Sequence, residues 1–172
     1  LVGDASQDIY AVVKLHMSGT TFEKVGEYVV MENGISASKS GIDVLSVDAG
    51  KTTLLLKTGG TFYTAEVPHD QTSGELTAVT RFSINTTGVS LTTGAVLDVT
   101  GWTWQDCGYH DGRLYVPVCK GASTVVAVYS ILNEDGTVKS GALSPDKDCS
   151  IQIGDVNHRV VEVESCAVYD GK

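Results

Sequence analysis

The sequence contains few of the residues that would mark a specialised class of protein. Its 172 residues include only 3 Pro, 2 Met and 2 Trp, and none of the 4 Cys forms a CxxC pair. That spacing argues against a zinc ribbon or a dithiol redox motif. The 12 Lys and Arg residues are outnumbered by 21 Asp and Glu residues and are scattered along the chain. Because phosphate contacts need clustered positive charge, we expect no nucleic-acid partner.

Long hydrophobic runs and cofactor motifs are also missing. No apolar run approaches the ~18 residues that indicate a transmembrane helix, so we expect no membrane insertion. The chain has no GxGxxG, P-loop, GxSxG or DxDxDG-like pattern, and we therefore expect no cofactor and no metal. The first residue is Leu1, not an initiator Met. We accordingly expect a processed chain or a fragment of a longer one.

Turn and strand residues dominate what is present. The chain has 19 Gly, is 42% hydrophobic and 19% charged, and carries a net charge of −9, which favours a soluble globular domain. Short runs rich in Val, Ile, Thr and aromatic residues alternate with Gly-containing turns, and no long helical pattern occurs. The sequence therefore predicts an all-β chain. Pro117 predicts an exposed or irregular segment within its strand. The main predicted strands are 9–15, 22–30, 42–47, 52–57, 62–67, 76–84, 114–119 and 124–131.

A short motif recurs at a nearly constant interval. Cys107–Val116 reads as a strand, a tight turn at Asp111-Gly112 and a second strand, and Cys166–Lys172 repeats its first half. Val47–Leu56 is a weaker copy about as far upstream. A repeat of roughly 60 residues is large for a propeller blade but usable for a repeat architecture.

The repeat predicts a β-propeller-like array of about three four-stranded blades in one domain, 1–172. The units are approximately 1–41 plus 161–172, 42–101 and 102–160, so the two ends of the chain share one blade. Typical propellers have about 4–8 blades. Closure would therefore come from dimerisation by strand exchange, or the chain would be a fragment of a larger propeller. The alternative architecture is a β-sandwich, in which the repeats are ordinary hairpins.

Two segments resemble a known family. Val126–Val138 is similar to the third-to-fourth-strand hairpins of lactonase-like and related bacterial propellers, and Thr72–Thr77 shares the similarity. The resemblance covers about two of the three units and implies a propeller fold. It carries no active-site residues over to this chain.

The four Cys residues leave two interpretations open. Cys107, Cys119, Cys149 and Cys166 could form two disulfides in any of three connectivities, or remain buried free thiols. Disulfides are typical of oxidising compartments, so the predicted location is extracellular or at the cell surface.

Four residues are predicted to contribute to binding. Trp102 and Trp104 alternate and would share one strand face, where they would stack on sugars or peptides or else enter the core. His110 and Asp111 together look like a general base and its orienting carboxylate, but an Asp-Gly turn demands the same Asp. No catalytic residue is assigned.

Three functions are compatible with these features. The first is a noncatalytic binding or scaffold module that presents propeller loops to a protein or carbohydrate partner. The second is a hydrolase or lyase of the propeller type, with a site at the central channel. The third is a structural capsid, fibre or surface-layer subunit, which the Gly, Thr and Val content also suits.

Overall fold

The computed structural model describes residues 2–4, 9–154 and 163–168. These residues form strands, turns and loops without any helix, which confirms the all-β prediction. The strands in chain order are β1 (Val2–Asp4), β2 (Ile9–Ser18), β3 (Thr21–Glu32), β4 (Ile35–Ser36), β5 (Gly41–Val47), β6 (Lys51–Thr58), β7 (Thr61–Pro68), β8 (Ser73–Thr77), β9 (Val79–Ile84), β10 (Val89–Ser90), β11 (Val96–Leu97), β12 (Thr103–Trp104), β13 (Gly108–His110), β14 (Arg113–Lys120), β15 (Ser123–Ser130), β16 (Gly141–Leu143) and β17 (Ile151–Ile153).

The strands form three five-stranded sheets and one small ribbon. The first sheet has the order β1-β2-β3-β4, with β8 also paired to β3. The second has the order β16-β9-β7-β6-β5, and the third has the order β12-β14-β15-β17, with β13 also paired to β14. Strands β10 and β11 form the ribbon. None of these sheets closes on itself within the described residues.

Tight turns explain why neighbouring strands pair. Strands β13 and β14 pair from His110 opposite Arg113, which leaves Asp111 and Gly112 as a two-residue turn. Both turn residues have positive φ, 45° and 76°. This is the geometry of a type I′ turn, whose twist matches that of the flanking strands. The predicted turn at Asp111-Gly112 is therefore confirmed.

One predicted strand is divided between two sheets. The sequence predicts a single strand over residues 76–84, but β8 and β9 are separated at Ala78. Strand β8 runs parallel to β3 in the first sheet, whereas β9 belongs to the second sheet. The Ala78 amide donates to the Met31 carbonyl at 2.7 Å, which satisfies the backbone where the chain changes sheets. The prediction of one strand is wrong because a run of suitable residues does not show where its partner changes.

Pro117 is another correction. Instead of marking an exposed or irregular segment, it is buried within β14 and lies opposite Val126 of β15. On the other side of β14, the Pro117 carbonyl accepts from the Gln105 amide at 3.1 Å. In an antiparallel ladder, the N–H and C=O of one residue face the same neighbour. The missing N–H of Pro117 therefore faces residues 105–107, where the neighbouring strand is interrupted between β12 and β13.

The chain divides into two units. One contains residues 1–58 and 63–80, and the other contains residues 59–62 and 81–172. Two strands pair outside their predicted repeat: β8, from the second repeat, joins β3, and β16, from the third, joins β9 in parallel. The single domain of 1–172 and its repeat units stay a prediction. The predicted blade shared by the two chain ends would join Tyr169–Lys172 to Leu1, and this join lies outside the described residues.

The core of the first unit lies between two sheets. Alternate side chains of β2, β3 and β8 meet alternate side chains of β5, β6 and β7, as period-two strands require. The cluster consists of Val12, Tyr28, Val30, Leu54, Leu56, Tyr63, Ala65, Val67, Leu76 and Ala78, with the partly buried Ile42 packed against it.

The core of the second unit centres on β14 and β15. Their buried residues include Leu114, Val116, Val125 and Ala127, with Tyr129 also fully buried. The Tyr129 hydroxyl donates to the Asn85 carbonyl at 2.8 Å. Burial raises the pKa of Tyr129, so this hydroxyl remains a donor across the physiological range.

None of the four Cys residues, all of which the structure describes, forms a disulfide. Cys107 and Cys119 are buried, while Cys149 and Cys166 are half-buried. Cys119 Sγ lies 3.1 Å from Thr124 Oγ1, and the Cys166 thiol donates to the Tyr115 carbonyl at 3.3 Å. The sequence left open either two disulfides or thiols, and the structure contains the four residues as thiols.

Gly26 provides a test of how β8 docks on β3. A Cβ at this position would lie 2.7 Å from the Thr72 carbonyl oxygen, which accepts from the Glu27 amide. We expect Gly26→Ala to lower the free energy of unfolding by about 1–3 kcal/mol, the usual cost of overpacking. Urea denaturation monitored by circular dichroism measures the change.

Gly50→Ala is the matched control in the same unit, because no atom lies within 4 Å of the point that its Cβ would occupy and its φ is not positive. Equal destabilisation by the two substitutions would contradict the proposed role of the close approach at Gly26.

Candidate functional site

The hairpin formed by β2 and β3 carries several exposed large hydrophobic side chains of the first unit. Residues 15–25 are all exposed, and we call this segment the hairpin tip. A two-residue turn at Gly19 and Thr20 closes it. A register shift between Lys14 and Leu15 leaves Val25 as an extra residue on β3. Such bulges bend a strand and increase its twist, so the tip changes direction where the core ends.

Three large apolar side chains share one face of the tip. Leu15 and Met17 are two residues apart on β2, and Phe22 lies directly opposite Met17 on β3. Their exposed fractions are 55%, 63% and 62%. A cross-strand pair of this kind stabilises a hairpin by roughly 0.2–1 kcal/mol. A cross-strand pair can provide this stabilisation whether or not its side chains are covered. The wide exposure of these three apolar side chains to water therefore marks the patch as a candidate binding surface.

The other face of the tip is polar. His16 lies opposite Glu23 on that face. Lys24 pairs with Leu15 and therefore lies on the face of the apolar patch, where its Nζ is 2.6 Å from Glu27 Oε2. The tip is thus an apolar patch with a charged border, a common composition of protein-binding surfaces.

The sequence analysis did not identify the hairpin tip. Its alternating residues correctly predict two strands around a turn. The missing information is which face of the hairpin the second sheet covers. It covers the face of Val12 and Tyr28, and the apolar side chains of the tip lie on the opposite face. A usable signal was the presence of Leu15, Met17 and Phe22 within a few residues of the Gly19 turn, where hydrophobic side chains are seldom covered.

The two Trp residues do not share a strand face. Only Trp104 belongs to β12, whereas Trp102 precedes it and donates its amide to the Val99 carbonyl at 3.1 Å. Both rings are half-buried. Trp104 Cζ2 lies 3.5 Å from the point where a Cβ on Gly60 would stand. The predicted role of these two residues in ligand binding stays a prediction.

His110 and Asp111 lie at the β13–β14 turn. Both are exposed, and Asp111 occupies the left-handed conformation that the turn needs. His69 and Asp70 are another His-Asp pair, in the turn after β7, and His69 Nε2 lies 2.9 Å from Thr52 Oγ1. The backbone geometry accounts for Asp111 without any catalytic role, as the turn interpretation predicted.

Two acidic loop residues, Asp146 and Asp148, accept hydrogen bonds from donor groups of the same chain. Asp146 accepts from the Ser130 amide at 2.9 Å and from its hydroxyl at 2.7 Å, and Arg113 Nε lies 3.8 Å from the same carboxylate. Asp148 accepts from Ser90 Oγ at 2.7 Å. Within the described part of the chain, no three His, Cys, Asp or Glu residues form a group that could hold a metal ion.

An ion pair between the buried Lys39 and the half-buried Glu32 lies at the end of β3. Lys39 Nζ is 2.5 Å from Glu32 Oε2 and 3.8 Å from the centroid of the Tyr63 ring. Burial, followed by the Glu32 charge and a hydrogen bond to Glu32, raises the pKa of Tyr63. The Lys39 ammonium group and the Glu32 carboxylate contact each other, and the ammonium group also contacts the Tyr63 ring. These contacts are suited to holding the loop after β4 in place rather than to binding a ligand.

Comparisons with known proteins do not assign the site. No family model, no curated protein and no solved structure matches the chain. Among the described residues, no helix has the length and hydropathy needed to cross a membrane.

The Lys39–Glu32 pair can be compared with the exposed pair that Lys24 and Glu27 form on β3. We expect Lys39→Met to destabilise the protein by about 1–3 kcal/mol, because Glu32 then keeps its charge without a partner and the cation over Tyr63 is lost. Lys24→Met removes the exposed pair with Glu27 and should cost no more than about 0.5 kcal/mol. Thermal and urea unfolding measure both. A cost for Lys39→Met as small as that for Lys24→Met would overturn this account of the cluster.

Proposed function

We propose that this protein is a noncatalytic binding or scaffold module whose hairpin tip docks on a protein partner. The observation that carries the proposal is the exposure of Leu15, Met17 and Phe22 on one face of a hairpin closed by a tight turn. Burying such side chains at an interface contributes roughly 25 cal/mol per Å² of apolar surface. An aromatic side chain and a Met are also enriched at the centres of interfaces.

Charge favours a protein partner over an anionic lipid surface. The chain carries a net charge of −9, which repels anionic headgroups and attracts a partner with a basic rim. The tip itself carries both signs of charge, at Glu23 and Lys24, so it can orient a docked protein by rim contacts. The half-buried Trp102 and Trp104 offer less exposed ring surface for stacking on a carbohydrate than Phe22 does.

Site-specific crosslinking tests the proposal. A photoactivatable phenylalanine analogue placed at Phe22 should form an adduct with one protein from an extract of the source cells. The same probe at Val96, which is 66% exposed in the other unit, is the matched control and should not form that adduct. Met17→Asp should reduce the Phe22 adduct several-fold by placing a charge in the apolar contact.

Identical adducts at both positions would contradict docking through the tip. An adduct with the mass of two copies of this chain would instead assign the tip to self-association.

We also propose that the sheets are blades of a propeller-like array that is completed by strand exchange between two chains. Support comes from the consecutive pairing of β13, β14 and β15 and from the short turn that joins β6 to β7. The parallel pairings of β8 and β16 are additions to a simple four-stranded blade. An extracellular or cell-surface location is part of this proposal.

Light scattering coupled to size-exclusion chromatography tests the strand exchange. We expect twice the 18.1 kDa mass of one chain, independent of salt, since exchanged strands are held by backbone hydrogen bonds rather than by surface charges. A mass of 18.1 kDa at all concentrations would exclude closure by exchange.

A further inference from the structure

A cleft in the first unit has the composition of a small-molecule site. Strands β2, β5, β6 and β7 line it, and on β2, β6 and β7 the inward-facing side chains change from apolar to polar at the same end of the core. Val12 is followed two residues later by Lys14 on β2, Leu54 is preceded by Thr52 on β6, and Val67 is followed by His69 beyond β7. Because side chains two apart share a strand face, each polar residue stands directly above its apolar neighbour.

The floor of the cleft is apolar and partly open. Val12, Leu54 and Val67 are buried, and the half-buried Ile42 closes one side. The cavity is about 220 Å³, below the ~300–1,000 Å³ of sites for drug-sized ligands. It therefore suits a short, branched hydrocarbon group rather than a large ring system.

The rim of the cleft presents hydrogen-bond donors. Lys14 is half-buried, and its Nζ donates to the His69 carbonyl at 3.4 Å, a long contact that uses one of three N–H groups. No carboxylate of the described residues lies within 4.0 Å of Lys14 Nζ. Lys24, Lys39 and Lys51, by contrast, each pair with a Glu.

The second rim contact is the Thr52 and His69 pair. Thr52 Oγ1 and His69 Nε2 are 2.9 Å apart, so the imidazole ring is held against the Thr52 hydroxyl. The His69 amide also donates to the Gly50 carbonyl at 3.0 Å, so the backbone at this residue is held. An anion that approaches Lys14 would find the imidazole and the Thr hydroxyl already positioned.

We propose that this cleft binds a small monocarboxylate with a branched apolar body. The carboxylate would lie at Lys14, with His69 and Thr52 beside it, and the hydrocarbon would enter the space above Leu54 and Val67. A phosphate would contact the polar rim but would leave the apolar floor unoccupied. A neutral amide would contact the apolar floor but would lack the negative charge that pairs with Lys14. The site is independent of docking by the hairpin tip and extends the function beyond protein binding.

Titration followed by ¹⁵N–¹H NMR tests the site on the whole chain. The probes are 4-methylpentanoate, 4-methylpentanamide and inorganic phosphate at constant pH and ionic strength. We expect 4-methylpentanoate to cause saturable shifts of the Lys14, Leu54 and Val67 amides, with the amide probe at least about fivefold weaker. Phosphate should not shift Leu54 or Val67.

Two variants separate charge from shape. Lys14→Met keeps most of the length of the side chain and should weaken 4-methylpentanoate about fivefold or more, without changing the affinity for the amide probe. Ile42→Phe should fill the cleft and weaken both organic probes. Lys120→Met removes an exposed lysine of the other unit and should change neither.

Three results would overturn the proposal. They are equal affinity for the carboxylate and the amide probe, an unchanged carboxylate affinity in a folded Lys14→Met protein, and saturable shifts confined to residues outside the cleft. Thermal unfolding of each variant establishes that it is folded. If Ile42→Phe fails to fold, the comparison of probes on wild type and Lys14→Met still decides the matter.

Discussion

Besides its short pairing with β4, strand β3 pairs with two strands on which the first unit depends. Strand β2 pairs with it as a local antiparallel hairpin, and β8 pairs with it in parallel after the chain has passed through β5, β6 and β7. Thr72 accepts from the Glu27 amide, and the Tyr28 hydroxyl donates to the Gln71 carbonyl. The absence of a side chain at Gly26 permits this approach. Since β8 is flanked in the chain by strands of the second sheet, this pairing brings the inward faces of two sheets together in one core.

The sequence was sufficient for the features that depend on near neighbours. Alternation and Gly-containing turns predicted the hairpins, and the positive φ angles of Asp111 and Gly112 explain why that turn was visible as an Asp-Gly pair. Strand β15 was visible in the sequence because both of its faces are apolar.

What the sequence could not show depends on distant partners. Nothing local in residues 76–84 shows that Leu76 and Phe82 belong to different sheets. Burial of Pro117 depends on the interruption between β12 and β13, which is a property of another segment. The hairpin tip and the cleft have the same limitation. Val12 and Leu15 look alike in the sequence, but one is covered by a second sheet and the other is exposed.

The double pairing of β3 also sets an order in which structure can form. The hairpins β2–β3 and β14–β15 join residues that are close in the chain, and such elements form within microseconds to tens of microseconds. The β3–β8 pairing can form only after residue 77 has been synthesised. It closes a long loop, and the entropy lost in closing that loop is offset only once the strands have paired. During synthesis, the open edge of β3 is consequently exposed while β5, β6 and β7 are made. This interval is when the chain is most susceptible to pairing with another strand.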